Sequence, residues 1–121
     1  MRILKTKPFA RFAGKEGIAD ESLKDAVDRL EKGQVDADLG GGVYKQRVAR
    51  SGAGRSGGFR VLVCYRRGDR SFFVYGFAKS DQPNIDKREE KDFKKMAKSL
   101  FALTESDLEK AISEGTFVEI A

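Results

Sequence analysis

The sequence of 121 residues lacks histidine and tryptophan altogether, and it contains one cysteine, Cys64, and two prolines. Without histidine there is no Ser-His-Asp or Cys-His triad, no histidine-ligated metal and no ribonuclease mechanism based on paired histidines. A lone cysteine permits no internal disulfide and no cysteine-rich zinc site, a usage typical of a reducing compartment. Any catalysis has to use Lys, Arg, Tyr, Asp or Glu, and we expect no metal and no cofactor.

Long apolar runs are also missing. The first 12 residues carry charges throughout, so they predict neither a signal peptide nor a membrane anchor. We therefore expect a cytoplasmic protein without a membrane partner. The length corresponds to about one domain, and the mixture of 40% hydrophobic and 36% charged residues favours a globular fold over a disordered chain.

Apolar periodicity in the first third of the chain predicts a strand followed by a helix. Residues 3–12 mix apolar and basic positions around Pro8, and we expect them to form a strand at a sheet edge, because proline cannot donate to a central ladder. Residues 20–33 carry apolar side chains at helical spacing, with Asp20 as the expected N-cap and Gly33 as the stop. Residues 35–42 end in three glycines and are expected to be a connector.

The rest of the chain predicts three strands and then two helices. Strands are expected at residues 43–50, 59–66 and 71–77, and the last of these is apolar on both faces, as a central strand would be. Helices are expected at residues 86–101 and from Thr104, where Asp107 completes a capping box. Residues 116–120 could add a short strand. The fold class is therefore α+β: an antiparallel twisted sheet of about four strands, with an N-terminal helix on one face and C-terminal helices.

Positive charge is concentrated in the middle of the chain. The net charge of the whole protein is +5, but residues 44–70 alone carry eight basic residues and one acid, so the remainder of the chain is slightly acidic. Such segregation favours an anionic partner such as nucleic acid. The eight basic residues are Lys45, Arg47, Arg50, Arg55, Arg60, Arg66, Arg67 and Arg70.

Strand geometry predicts that part of this charge converges. Lys45 and Arg47 are two residues apart and therefore project from one face of their strand. A hairpin to the next strand brings Arg60 towards the same face, and Lys79, at the end of the third strand, can reach it. Cations on a rigid sheet suit the binding of phosphates. The alternative is that these are ordinary solvated charges of exposed strands.

Two other features have simpler interpretations. Residues 52–57 match the pattern G-x-G-x-x-G, but a dinucleotide site needs a helix directly afterwards, and here a strand follows. We interpret this segment as a flexible hairpin loop. Cys64 lies within an apolar strand and is expected to be a core residue rather than a nucleophile.

Three segments resemble the RelE/ParE superfamily of type II toxin–antitoxin toxins, and the similarity is greatest to the RelE-like and HigB-like branch with extra C-terminal helices. They are GGGVYKQRVAR at residues 40–50, GGFRVL at residues 57–62, and GFAKS at residues 76–80 followed by NID at residues 84–86. The resemblance implies a single RelE-like domain over residues 1–121. It also implies a metal-independent mRNA endoribonuclease, or mRNA interferase, that acts at the ribosome and inhibits translation.

The resemblance also assigns roles to residues. The family's basic residues fall on Lys45 and Arg47 in the second predicted strand, on Arg60, and on Lys79. We assign Lys45 as the base or proton shuttle, Arg47 and Arg60 as stabilisers of the phosphorane, and Lys79 as the residue that orients the phosphate or assists the leaving group. The family's C-terminal tyrosine has no counterpart after Tyr75. Four further cations of the central segment are expected to bind RNA; they are Arg50, Arg55, Arg66 and Arg67.

Partners and alternatives follow from the same resemblance. The expected partners are a cognate antitoxin, either a helix-turn-helix or an acidic protein, together with mRNA and the ribosome. One alternative function is a non-catalytic toxin of the ParE kind that poisons a DNA topoisomerase. Another is a plain nucleic-acid-binding module, which would bind with steep salt dependence but cut nothing.

Overall fold

The computed structural model of the protein describes residues 1–49, 58–78, 80, 82 and 84–120. The predicted loop at residues 52–57 lies outside these residues, as do Arg50, Arg55 and Lys79. The strands are β1 (Arg2–Thr6), β2 (Ala37–Gly40), β3 (Val43–Val48), β4 (Phe59–Arg66), β5 (Arg70–Ala78) and β6 (Phe117–Ile120). The helices are α1 (Lys7–Glu16), α2 (Asp20–Glu31), α3 (Lys87–Phe101) and α4 (Glu105–Ser113).

The six described strands form one sheet in the order β2-β3-β4-β5-β1-β6. Every neighbouring pair is antiparallel except β1 and β5, which run parallel. The α+β class and the mostly antiparallel sheet agree with the sequence-based prediction. The sheet has six strands instead of about four. One of the two additional strands is β6, which forms where residues 116–120 were named as a further short strand, and the other is β2, which was taken for a connector.

The prediction for the N-terminus was wrong in two respects. The first strand ends at Thr6, whose hydroxyl accepts a hydrogen bond from the Phe9 N–H and caps α1. Pro8 lies in the first turn of that helix, where its missing N–H costs nothing because those donors have no partner within the helix. In addition, β1 lies between β5 and β6 rather than at a sheet edge.

The second helix is close to the prediction, but its cap differs. Ala19 is the N-cap of α2 and supplies no side-chain hydrogen bond, while Asp20 is the first helical residue and accepts a hydrogen bond from Lys5 at 2.9 Å. Gly33 follows the helix with φ of +78°, a left-handed conformation that glycine adopts without strain. The residues after it form β2 and pair with β3, with an irregularity in register between Asp38 and Gly40.

Helices cover both faces of the sheet, which separates two cores. On one face, here called the α1/α2 face, Val61, Val63 and Phe73 pack with residues of the first two helices. On the other, the α3/α4 face, Leu62 and Phe72 pack with residues of the last two. The alternation explains why β4 and β5 are apolar at nearly every position, and β5 is a central strand as predicted.

The C-terminal helices begin where the sequence indicated. Asp86 caps α3 through the Glu89 N–H at 2.8 Å, and Thr104 caps α4 in a reciprocal box with Asp107. Each such cap stabilises its helix by about 1 kcal/mol. In the part of the chain that the structure describes, no helix has the length and apolar character required to cross a membrane.

Candidate functional site

The register of β3 and β4 places three predicted site residues on the α3/α4 face. Arg47 lies directly opposite Arg60, and Lys45 lies opposite Leu62, two residues further along β4. Paired residues in antiparallel strands share a face, so Lys45, Arg47 and Arg60 project to the same side; they are called the cationic triad below. The diagonal between Lys45 and Arg60 corresponds to about 7–8 Å. The structure does not describe the fourth predicted catalytic residue, Lys79.

The Arg47–Arg60 pair has an unfavourable arrangement unless an anion binds. Like charges directly opposite each other on neighbouring strands destabilise a sheet. Among residues 1–49, 58–78, 80, 82 and 84–120, no carboxylate forms an ion pair with either guanidinium. Arg47 is exposed and Arg60 is partly exposed. Two planar guanidinium groups in this position can hold a phosphate through bidentate, charge-assisted hydrogen bonds.

An open pocket lies at this end of the β3–β4 hairpin. It has a volume of about 270 Å³, near the lower limit for small-molecule sites. Lys45 is not among the described residues that line it, but it lies two residues along β3 on the face of Arg47. The lining residues are Arg47, Val48, Ala49, Gly58 and Arg60.

Lys45 is held by a residue that the sequence analysis quoted but did not single out. Its ammonium donates to Asn84 Oδ1 at 3.1 Å, and the same oxygen accepts the Ile85 N–H at 2.9 Å. Asn84 precedes the N-cap of α3, so the start of that helix and the amine of Lys45 are fixed together. Lys45 therefore has a defined position at the surface rather than a freely moving side chain.

Gln46, between the two cations of β3, faces the opposite way and is fully buried. Its amide donates to the carbonyl oxygens of Ala26 and Gln34, both at 3.2 Å, and its Oε1 accepts the Asp36 N–H at 2.8 Å. Both the amide nitrogen and the amide oxygen of this buried side chain therefore have hydrogen-bond partners. The side chain thus ties β3 to α2 and to the connector before β2, and it stiffens the strand that carries Lys45 and Arg47.

The backbone of Arg47 is fixed as well. Asp36 Oδ2 accepts its N–H at 2.6 Å, and the guanidinium of Arg29 donates to its carbonyl oxygen. Arg29 Nη1 also lies 3.6 Å from Asp36 Oδ2. Arg29, Asp36 and the Arg47 backbone thus form a closed set of contacts at the end of β3. Sequence reasoning missed Arg29, Asp36 and Gln46. The only signal was that Gln46 is polar at a position where the alternation of the strand places a side chain in the core.

The other described cations of the central segment lie at the opposite end of β4. Arg66 is bonded to Asp69, with Nε to Oδ2 at 2.7 Å, and its guanidinium carbon lies 5.2 Å from the ring centre of Phe101. Arg67 donates to the Glu31 carbonyl at 3.2 Å. The structure does not bring Arg66 or Arg67 together with the cationic triad, because six residues of extended strand separate Arg60 from Arg66 by about 20 Å.

Arg70 has a structural role at that same end. Its side chain is 6% exposed, and it donates to the Leu103 carbonyl at 2.8 Å and to the Leu100 carbonyl at 3.4 Å. Leu100 lies in the last turn of α3, where four carbonyls have no partner within the helix, and Leu103 follows the C-cap residue of that helix. A further bond to Glu105 Oε1 at 3.1 Å ties the start of α4 to the sheet.

An ion pair and burial shift the pKa values of Asp69 and Cys64 from their ordinary values. The hydrogen bond from Arg66 is the main reason that the pKa of Asp69 lies below its ordinary value. Cys64 is fully buried in the core of the α3/α4 face, which confirms the interpretation of Cys64 as a core residue, and this burial raises the pKa of its thiol to about 12. Within the described residues, no group of three or more His, Cys, Asp or Glu side chains is arranged to hold a metal ion.

These features define an α+β protein whose sheet presents two arginines to an open pocket, and neither arginine has an acidic partner among the described residues. Comparison with known families is consistent with this description: residues 1–120 match the family model described as the RelE toxin of the RelE / RelB toxin-antitoxin system. The protein therefore belongs to the RelE toxin family, and this membership implies a cognate antitoxin as its partner. A search of curated proteins found no match.

Proposed function

We propose that the protein is the toxin of a type II toxin–antitoxin pair and cuts mRNA as a metal-independent endoribonuclease. The observation that carries the proposal is the Arg47–Arg60 pair, directly opposed across two strands and without a carboxylate partner among the described residues. Such a pair favours a ligand with a dense negative charge, and an RNA phosphate has that charge. Family membership supports the same function.

In the proposed reaction RNA supplies its own nucleophile. The 2′-oxygen loses its proton and bonds to phosphorus, the bond from phosphorus to the 5′-oxygen breaks, and the leaving oxygen gains a proton. The products are a 2′,3′-cyclic phosphate and a 5′-hydroxyl, so no oxidant, metal or cofactor is consumed. Lys45 takes the proton in this scheme, and Lys79 orients the phosphate or assists the leaving group.

Arg47 and Arg60 stabilise the pentacoordinate phosphorane, which carries one more negative charge than the substrate phosphate. The strand that carries Arg47 is fixed before the reaction by Gln46 and by the contacts of Arg29 and Asp36 with the Arg47 backbone. A preorganised donor of this kind contributes about 10²–10³ in rate. Arg50 and Arg55 stay predicted RNA contacts outside the catalytic group. Arg66 and Arg67, also predicted to bind RNA, would contribute less, because they already contact Asp69 and Glu31.

The ribosome and the antitoxin complete the proposal. A ribosome would present the mRNA to the cationic triad in an extended form. The antitoxin, a helix-turn-helix or acidic protein, would inhibit the toxin by covering these cations with acidic or helical residues. The protein would act in the cytoplasm, where its substrate is found.

A second candidate is RNA binding without cleavage. It is favoured by the absence of any tyrosine after Tyr75, where RelE-type toxins carry one near the scissile phosphate. The cationic triad would then hold RNA or block a ribosomal site, and no new RNA ends would form. A topoisomerase poison of the ParE kind is the third possibility, and it requires no cationic triad.

One experiment separates these functions. Purified protein is added to translating ribosomes and to free mRNA, and new 5′-hydroxyl ends are mapped while plasmid supercoiling is followed in parallel. We expect cleavage at defined positions that is lost in Arg60→Ala and retained in Arg11→Ala, a control that removes the same charge from an exposed position on α1. Altered supercoiling without new RNA ends would contradict the proposal, as would binding to RNA without new ends.

A further inference from the structure

A chain of polar side chains crosses the α3/α4 face next to the cationic triad. The hydroxyl of Tyr75 donates to Gln82 Oε1 at 2.7 Å, and Gln82 Nε2 donates to the Asn84 carbonyl at 2.9 Å. Asn84 Oδ1 in turn accepts from the ammonium of Lys45 at 3.1 Å. Hydrogen bonds through Gln82 and Asn84 therefore link the Tyr75 hydroxyl on β5 to the Lys45 amine on β3.

The register shows what this chain of bonds spans. Lys45 lies opposite Leu62, and Leu62 lies opposite Tyr75, so the three form one row across β3, β4 and β5. Adjacent strands are about 4.8 Å apart, which separates the Lys45 and Tyr75 backbones by about 10 Å. Leu62 is fully buried. Gln82 and Asn84 connect the two ends of the row.

The next row of the same face carries the proposed phosphate site. It consists of Arg47, Arg60 and Phe77, again in register across the three strands. Tyr75 packs against Phe77 and against Phe93 of α3, with ring centres 5.9 Å and 5.5 Å apart. The anchoring residue of the hydrogen-bond chain is thus itself fixed by aromatic packing.

We propose that Asn84 is a positioning residue for RNA cleavage: it holds the Lys45 amine beside the Arg47–Arg60 pair, and Tyr75 and Gln82 fix Asn84 in turn. The inference rests on the proposed endoribonuclease function and names the residues that make Lys45 effective. It also gives a role to the NID segment at residues 84–86, which shares no strand with the cations.

The chemistry of an amide explains why asparagine suits this position. Its side-chain oxygen only accepts, so it binds an N–H of the lysine whether the amine is charged or neutral. The lone pair of a neutral amine is then directed away from Asn84 and can take the 2′-hydroxyl proton. A carboxylate at the same position would instead favour the charged amine and oppose this step.

A double-mutant cycle measured by single-turnover cleavage tests the inference. We expect Lys45→Ala to slow cleavage by about 10² or more and Asn84→Ala by about tenfold to a hundredfold. Because Asn84 acts through Lys45, the double variant should cleave within about twofold of Lys45→Ala alone. An Asn84→Ala effect of full size in the Lys45→Ala background would overturn the inference.

Two further variants keep the result independent of folding. Tyr75→Phe removes one hydroxyl and should lower the cleavage rate constant by about threefold to tenfold, with unchanged RNA affinity. Asn84→Asp should move the acid side of the pH–rate profile to higher pH, because the base is then neutral only at higher pH. A profile that stays in place, or a Tyr75→Phe effect confined to RNA affinity, would refute the positioning role.

The failure of the inference and the failure of the proposed function look different. If the parent protein produces no new RNA ends, both fall together. If the parent cleaves and Lys45→Ala is slow but Asn84→Ala matches the parent, the endoribonuclease remains and only the role of Asn84 is overturned. The melting temperature of each variant shows whether the fold has been retained.

Discussion

The two ends of β4 carry arginines in opposite circumstances. At the start of the strand, Arg60 and its neighbour Arg47 face each other without a carboxylate partner in the described part of the chain. At the end of the strand, Arg66 and Arg70 are also directly opposed, but Asp69 lies within ion-pair distance of both. The same local pattern of two opposed arginines is thus neutralised at one end and left open at the other.

The difference shows which part of the positive charge is available to a ligand. Charge that is already paired gains little from a phosphate, because binding would first have to break hydrogen bonds to Asp69, to Glu105 or to the Leu103 carbonyl. Among the described residues, Arg47 and Arg60 have no ion pair that a phosphate would first have to break. The central segment therefore contains one arginine cluster with structural partners and one that we propose binds RNA.

The largest effect is expected from a substitution in the Arg47–Arg60 pair. Arg60→Ala should lower the single-turnover rate of RNA cleavage by about 10²–10³, because it removes a preorganised donor to the phosphorane. Its melting temperature should remain equal to that of the parent or rise, since a like-charge contact disappears. Equal cleavage by Arg60→Ala and the Arg11→Ala control would contradict the assignment.

The same assay on Arg66→Ala sharpens the comparison. Arg66 is bonded to Asp69 and lies over Phe101, so we expect a much smaller loss of cleavage than in Arg60→Ala. A loss as large as that of Arg60→Ala would show that the paired end also binds RNA strongly.

Breaking the structural end should change stability rather than rate. Arg70→Met removes the guanidinium donor from the Leu100 and Leu103 carbonyls. It also removes one of the two arginine contacts that hold Glu105 of α4 to the sheet, the other being Arg2 at 2.9 Å. The free energy of unfolding should fall by about 2–4 kcal/mol, as measured by urea denaturation. Cleavage per folded molecule should change little. A variant as stable as the parent would show that Arg70 does not cap α3 in solution.

A smaller effect concerns acid stability at the paired end. The pKa of Asp69 is lowered in the folded protein, so its ionised form contributes stability above its ordinary value of 3.8, and this is lost as the pH falls through the lower folded value. Asp69→Asn should flatten that part of the stability curve. Because the ion pair is partly exposed, we expect it to contribute less than about 1 kcal/mol to the free energy of unfolding. An unchanged curve would show that the ion pair contributes nothing.

Local signals in the sequence predicted much of the fold. The cap at Thr104, the position of α3 and the bounds of β4 depend on residues close together in the chain, and the structure confirms them. Helix α1 was not predicted, because Pro8 suits the first turn of a helix as well as an edge strand. The parallel pairing of β1 with β5 joins residues nearly 70 positions apart, which no local pattern encodes.

The candidate site was only partly predictable for the same reason. Residue spacing placed Lys45 and Arg47 on one face, and the hairpin brought Arg60 to them. Which arginines are neutralised depends on distant partners, such as Glu105 for Arg70, and a sequence of alternating charges does not reveal them. The roles of Gln46 and Asn84 likewise depend on tertiary contacts.

The most direct test of the account is the salt dependence of binding to an RNA that cannot be cut because its 2′-hydroxyls are replaced. Each phosphate contact to a single strand contributes about 0.7 to the slope of log affinity against log salt. Arg47→Ala and Arg60→Ala should each reduce the slope by about this amount, and Arg70→Met should not change it. Slopes that remain at the parental value in Arg47→Ala and Arg60→Ala would contradict the claim that this pair binds RNA phosphate.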